Sequence, residues 1–467
     1  MKSLSVVLAM MMSALGVIAQ TIVPPGPVRG VWDTVGNRSP FIVEGNISVL
    51  DSLIIKPGVN VRFHAGGFEI RVAGAARLVA RGTESAPVVF EPHQGQFPGS
   101  WVGIILNNTG ADDSIDHCVI RFASNGISVQ DSRSSIRNSL IHSNMNSGLS
   151  IAYNQTSGGA SIFGCTFNDN TEGIRSVSYN NGGGTIRDTI MIDRCAVYKN
   201  SGHGIFSTAG TNLVGAGAYM LVRITNSTVA NNGGSGVLAE TPSRGNADAQ
   251  ITNTIVAFNG GYGCANGARG VIGGSGIVYN CLWGNGPGNF SGISGLDSVL
   301  CCVNANSDSC DIRFNIYYDP LFTDTLASDF RLDSVSKCID AGTEIVIGRI
   351  VRDPDGTLPD IGAFYYQHMP VAVSENGQAP NGYFLSQNYP NPFNPETRIK
   401  FQIPNTNDVV LKVYDILGRE VATLVNERKP PGTYEAEFDG SGLASGVYLY
   451  RLKAGSFVET KKLILLR

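Results

Sequence analysis

Charged residues are scarce in this sequence: Asp, Glu, Lys and Arg make up 15% of its 467 residues, against about 25% in an ordinary soluble protein. Their near balance, a net charge of −4, gives no sign of a nucleic-acid partner. Long amphipathic helices are missing too, because no window repeats apolar residues at helical spacing. Past the N-terminus no apolar run approaches the ~18 residues that a membrane-crossing helix needs. Cysteine is absent after Cys338, and the nine present are an odd number that cannot all pair with one another. Glycine, by contrast, reaches 57 and apolar residues 42%. That balance suits many tight turns around a continuous core, and a chain this long holds more than one domain unless one is an elongated repeat.

What is present is repetition. Between Ser114 and Asn285 one cassette recurs seven times: a β-branched residue, a small thiol or hydroxyl three positions on, an apolar residue two further, then an Asn-rich turn and a Gly. The small anchors are Cys118, Ser139, Cys165, Cys195, Ser227, Thr254 and Cys281, spaced by 21, 26, 30, 32, 27 and 27 residues. Repeats of this length without helical period predict stacked coils of short strands, a parallel β-helix. Coils stack at about 4.8 Å, so equivalent inward positions form ladders. One ladder is read as Ile115, Ile136, Ile162, Ile192, Ile224, Ile251 and Val278, a second as Ile120, Ile141, Phe167, Val197, Val229, Val256 and Trp283. Asn170, Asn200, Asn232 and Asn259 fall at the turn, where Asn tolerates a left-handed backbone and its amide can bond to the next coil. Gly126, Gly148, Gly173, Gly204, Gly236 and Gly263 follow where a Cβ would clash.

Residues 1–19 read as a secretory signal peptide, with Lys2 as the positive end, Leu4 to Met12 as the apolar stretch and Val17-Ile18-Ala19 as the cleavage site. Residues 20–40, rich in Pro and Gly, are expected to cap the open first coil. From Phe41 alternation begins, with Val49, Leu53, Ile55, Val59, Val61 and Phe63 inward. The turn Lys56-Pro57-Gly58 and the stretch Gly99 to Asn108 resemble the entry coils of secreted bacterial right-handed β-helix proteins. Asp319 to Glu344 and Asp353 to Tyr366 resemble their closing coils. The resemblance spans residues 41–367 and implies the right-handed fold without fixing an activity. Asp353, Asp355 and Asp360 carry carboxylates that could gather calcium, but their spacing better fits a turn whose Asp side chains bond their own backbone. Among the cysteines, those sharing the anchor ladder alternate with Ser and Thr and read as buried thiols. Cys165 with Cys195, and Cys301 or Cys302 with Cys310, are the pairs that could bond.

Residues 368–382 read as a linker, and residues 383–467 as a small immunoglobulin-like β-sandwich of about seven strands. This last domain holds 11 Lys/Arg against 9 Asp/Glu and no cysteine. Its motifs Asn388-Tyr389-Pro390-Asn391-Pro392-Phe393-Asn394-Pro395, Tyr414-Asp415-Ile416-Leu417-Gly418-Arg419, Leu443-Ala444-Ser445-Gly446-Val447-Tyr448 and Lys461-Lys462-Leu463 resemble, in order, the type A C-terminal sorting domain of type IX secretion cargo. That resemblance implies the type IX secretion machinery as partner, export across an outer membrane, and attachment of the remainder at the cell surface. The whole chain is thus read as all-β: a right-handed parallel β-helix followed by a small immunoglobulin-like β-sandwich.

For activity, enzymes on such solenoids place carboxylates and an Arg or Lys on adjacent coils. The outward positions after each Gly are Ser128, Ser150, Arg175, Phe206, Leu238 and Ala265; those two before each anchor are Asp116, Arg137, Phe163, Asp193, Thr225, Thr252 and Tyr279. Asp116 beside Arg137, with His142 nearby, reads as a solvated ion pair, and His203 as a surface residue. No catalytic, cofactor-binding or metal-ligating residue is assigned. The β-helix is read as binding an extended ligand such as a polysaccharide, with Phe206 and Tyr279 available to stack on sugar rings. The alternative is a polysaccharide lyase or glycoside hydrolase, distinguished by three outward charged groups converging in a groove.

Overall fold

The computed structural model describes residues 20–35, 38–107, 113–154, 158–182, 184–211, 216–296, 300–366, 382–388 and 390–466. The stretch read as a signal peptide and most of that read as a linker lie outside them, as do Asn108 and Tyr389. The chain forms two compact units, the first ending at Tyr366. No described helix is long and apolar enough to cross a membrane.

In the first unit most coils contribute three strands. Asp113–Asp116, Cys118–Arg121 and Ile127–Gln130 make one coil, and each pairs in parallel with its equivalent in the next. Strands of the Cys118–Arg121 kind form an 11-stranded sheet, here the second sheet. The other two kinds form the first and third sheets, joined through the long strand Ile47–Ile55 that crosses from one to the other. Residues 20–40 do more than cap the stack: Thr21–Val23 and Gly26–Trp32 pair in parallel with Phe41–Val43 and Ile47–Ile55, so they are themselves a rung.

The ladders hold through six coils. Ile115, Ile136, Ile162, Ile192, Ile224 and Ile251 stand in register and buried, as do Ile120, Ile141, Phe167, Val197, Val229 and Val256. The seventh coil is displaced by one residue. Ile251 meets Ile277 rather than Val278, Val256 meets Leu282 rather than Trp283, and Thr254 bonds to Asn280 rather than aligning with Cys281. Because side chains alternate between faces, that one-residue slip turns Cys281 out of the coil interior. Asn280 takes the anchor place and passes it to Asn315.

Each corner explains its residue type. The anchor hydroxyl donates to the carbonyl two residues back and accepts the N–H of the coil before: Ser227 Oγ donates to Thr225 O at 2.7 Å and receives Cys195 N at 3.1 Å. At the other corner the amides of Asn144, Asn170, Asn200, Asn232, Asn259 and Asn285 form one buried chain. Asn200 Oδ1 accepts both the N–H and the Nδ2 of Asn170 at 3.1 Å. Its own Nδ2 donates to Asn232 Oδ1 at 2.9 Å. The left-handed residue is not the ladder Asn but the one before it, as in Asp169, Lys199, Asn231 and Phe258. The ladder Asn is there for its amide. A Cβ on Gly173 would sit 2.6 Å from Gly204 O, which is why that position is Gly.

After the last full coil the stack adds only a partial rung at Asn315 and Ile316. Residues 319–366 fold back as a strap over the outer face of the second sheet. Phe330 packs on Tyr198 at 4.7 Å between ring centres, and Lys199 Nζ donates to Ser328 Oγ at 2.7 Å. Asn253 Nδ2 donates to Thr343 O at 2.8 Å, and Ala363 N donates to Thr228 Oγ1 at 3.0 Å. Ile255, Ala257, Cys281, Cys310, Leu332, Cys338, Ala341 and Ile361 form a small core beneath it.

The second unit packs a three-stranded antiparallel sheet and a four-stranded one around their own core. Leu411, Val413, Tyr450 and Leu452 are buried in it, whereas Ile416 sits exposed in a turn rather than on a sheet face.

Candidate functional site

The groove of interest lies on the first sheet. Register places Ser114, Ser135, Ser161 and Met191 in one outward column, and Arg81, Asp116, Arg137 and Phe163 in the next. All of these but Phe163, with Arg133 and Thr189, line a groove of about 680 Å³. Its floor is small side chains and its edges are guanidiniums. Arg81 Nε donates to Ser114 Oγ at 3.2 Å and Arg137 Nε to Ser135 Oγ at 3.1 Å, so each is anchored at its stem. Arg137 also lies over the Phe163 ring, 5.9 Å from its centre.

The expected Asp116–Arg137 pair is not what forms. Asp116 Oδ1 takes the Nδ1 of His117 at 2.8 Å and the Nδ2 of Asn138 at 3.0 Å. Nor does His142 join them, because its strand belongs to the second sheet. There its Nδ1 meets Ser143 Oγ at 2.9 Å, and burial with the nearby Arg121 holds its pKa below the ordinary value.

Three outward charges do converge, on the second sheet. Glu91, its side chain 8% exposed, is clamped by Arg62 Nε at 2.9 Å and Arg121 Nη2 at 2.6 Å. The rings of His64 and His93 stack beside them at 4.8 Å. None of these five residues was singled out from the sequence. The signal was present, since Arg62, Glu91 and Arg121 each follow the inward residues Val61, Phe90 and Ile120 that share one ladder. Two guanidiniums thus share one carboxylate across three coils as an ion-pair network.

On the third sheet the outward column runs Ser128, Ser150, Arg175, Phe206, Leu238 and Ala265, in the register expected. Arg175 is neutralised by Glu172 at 3.2 Å and stacks over Phe206 at 4.7 Å, with His203 against the same ring. Phe206 is therefore occupied and nearly buried. Tyr279, offered as a second stacking residue, is paired face to face with Phe314 at 4.9 Å.

The strap carboxylates are committed to backbone. Asp353 Oδ2 accepts Asp360 N at 2.8 Å, Asp360 Oδ1 accepts Asp340 N at 2.8 Å, and Asp355 Oδ1 accepts Thr357 N at 3.1 Å. Burial pushes Asp360 up to about 7. Among the described residues no three His, Cys, Asp or Glu stand together as a metal site.

In the second unit the sorting motifs are structural parts. Asn388 is buried and bonds Pro390 O and Thr397 Oγ1, both at 3.0 Å, while its N–H goes to Tyr450 Oη at 2.9 Å. Asn391 Oδ1 accepts Ile464 N at 2.8 Å and Phe393 is buried against Phe438. Asp415 closes its turn on Leu417 N and Arg419 N, both at 2.9 Å.

Two family models match the chain. One, described as a right handed beta helix region, covers residues 102–281. The other, described as a secretion system C-terminal sorting domain, covers residues 387–466. No curated protein matches it. The coils, their register and the folded sorting motifs agree with both matches: the chain is a right-handed β-helix protein carrying a type IX secretion C-terminal sorting domain.

Proposed function

We propose that this exported protein binds an acidic polysaccharide along the first-sheet groove, and that it does so at the outer surface of the cell. Export is carried by the sorting domain, which addresses the chain to the secretion machinery. The leader read at residues 1–19 would begin that route, and attachment at the outer membrane would end it. The observation that supports the ligand is the groove itself: Arg81, Arg133 and Arg137 border a floor of serines, with Asp116 already held by His117 and Asn138. Guanidiniums pair with carboxylate or sulfate in two-pronged fashion, and serine hydroxyls match sugar hydroxyls. A solenoid face suits a chain-like ligand because weak contacts add from coil to coil.

The test is affinity electrophoresis of the secreted protein in gels carrying polygalacturonate or neutral dextran. Retardation by the acidic polymer alone, weakened about tenfold or more in Arg133→Ala/Arg137→Ala and by added salt, is expected. Equal behaviour in both gels, or an unaffected double variant, would overturn the reading. Release of unsaturated or reducing ends would replace binding by cleavage.

A further inference from the structure

We propose that Cys281 and Cys338 form a clasp: during export the two are joined as a disulfide that fixes the strap onto the second sheet. The one-residue slip of the seventh coil carries the argument. It turns Cys281 out of the coil interior and into the small core under the strap, where Cys338 is also fully buried. The two buried side chains belong to the same small cluster and are close enough for Cys281 to act on the Cys338 thiol, and both thiols are free in this structure. The Cys281 thiol donates to Tyr318 O at 3.2 Å, while the backbone around Cys338 is pinned by Ile361 N, which donates to its carbonyl. So the pair sits across the seam between two elements with otherwise modest polar ties.

Two thiols become one disulfide by losing two protons and two electrons. The acceptor is the reactive disulfide of a periplasmic thiol–disulfide exchange protein. A Cys281 or Cys338 thiolate attacks that disulfide and releases one of its thiols. The second cysteine then displaces the mixed link, leaving the oxidant as a dithiol. In the finished fold burial raises the Cys338 thiol well above its usual pKa, so the exchange belongs to the incompletely docked chain passing through an oxidising compartment. The bond would close a loop of roughly 57 residues, which favours a sizeable constraint on the undocked strap.

The secreted protein, alkylated at collection and digested without reductant, is expected to yield one linked peptide pair containing Cys281 and Cys338. Recovery of both as separately alkylated cysteines, or of either bonded to a different cysteine, would overturn the proposal. A second measurement does not depend on a variant folding. Protease cleavage within residues 319–366 of the wild-type protein should rise on the order of a hundredfold on adding reductant. Cys338→Ser should show that fast cleavage without reductant. A strap equally resistant in both conditions would also overturn it.

Discussion

Along the second sheet, one outward column changes chemistry between its ends. At the N-terminal end it reads Arg62, Glu91, Arg121 and His142, with two partly exposed guanidiniums clamped on a buried carboxylate. At the C-terminal end it reads Ala230 and Ala257, both fully buried beneath the strap. The strands there, Thr228–Ala230 and Ile255–Ala257, are buried at every residue, the mark of a sheet covered on both faces. The difference teaches that outward residues specify cover: charge keeps a rung in water, and small apolar side chains invite a second layer. It also separates two kinds of stability. Interior ladders run through every coil, whereas the strap is tied on locally.

The sharpest way to break that separation is in the interior. Asn200→Leu removes the acceptor of two Asn170 donors in the middle of the amide chain. Each buried donor left unmet costs ~1–3 kcal/mol, so a loss of about 4 kcal/mol and unfolding of the whole stack are expected in a urea titration. Melting confined to one end would show that the coils are not one cooperative unit.

A smaller effect should be confined to the strap. Asp360 titrates near 7 when folded because it is buried, against ~4 when unfolded. The folded state therefore holds a proton that the unfolded state has released, and strap stability is present at low pH and declines as pH rises between those values. Strap amides, followed by hydrogen exchange corrected for intrinsic rates, should be less protected at pH 8 than at pH 5, by on the order of 1–2 kcal/mol. Coil amides should not change, and Asp360→Asn should flatten the strap profile. A coil response equal to that of the strap would erase the contrast.

The smallest effect is expected at the anchors. Cys195→Ser places a hydroxyl where Ser139 and Ser227 already donate to the carbonyl two residues back. It should change stability by less than about 1 kcal/mol in the same titration. A large loss would mean that the thiol has a role the ladder does not explain.

Legibility followed the length scale of the cause. The stack, its inward ladders and the folded sorting motifs were readable because alternation and the repeat spacing are local, and one misalignment shifts every side chain to the wrong face. The slip at Cys281 escaped for the same reason, since the thiol imitates the anchor series while Asn280 fills the corner. The left-handed residues escaped because Asp169, Lys199 and Phe258 share no side-chain chemistry, only a place before the ladder Asn. What the sequence alone determined is that this chain coils, stacks and carries a sorting domain. Which charges meet, which face is covered and which cysteines touch were decided only by tertiary structure. Those contacts join residues such as Lys199 with Ser328, or Asn253 with Thr343, that no periodicity links.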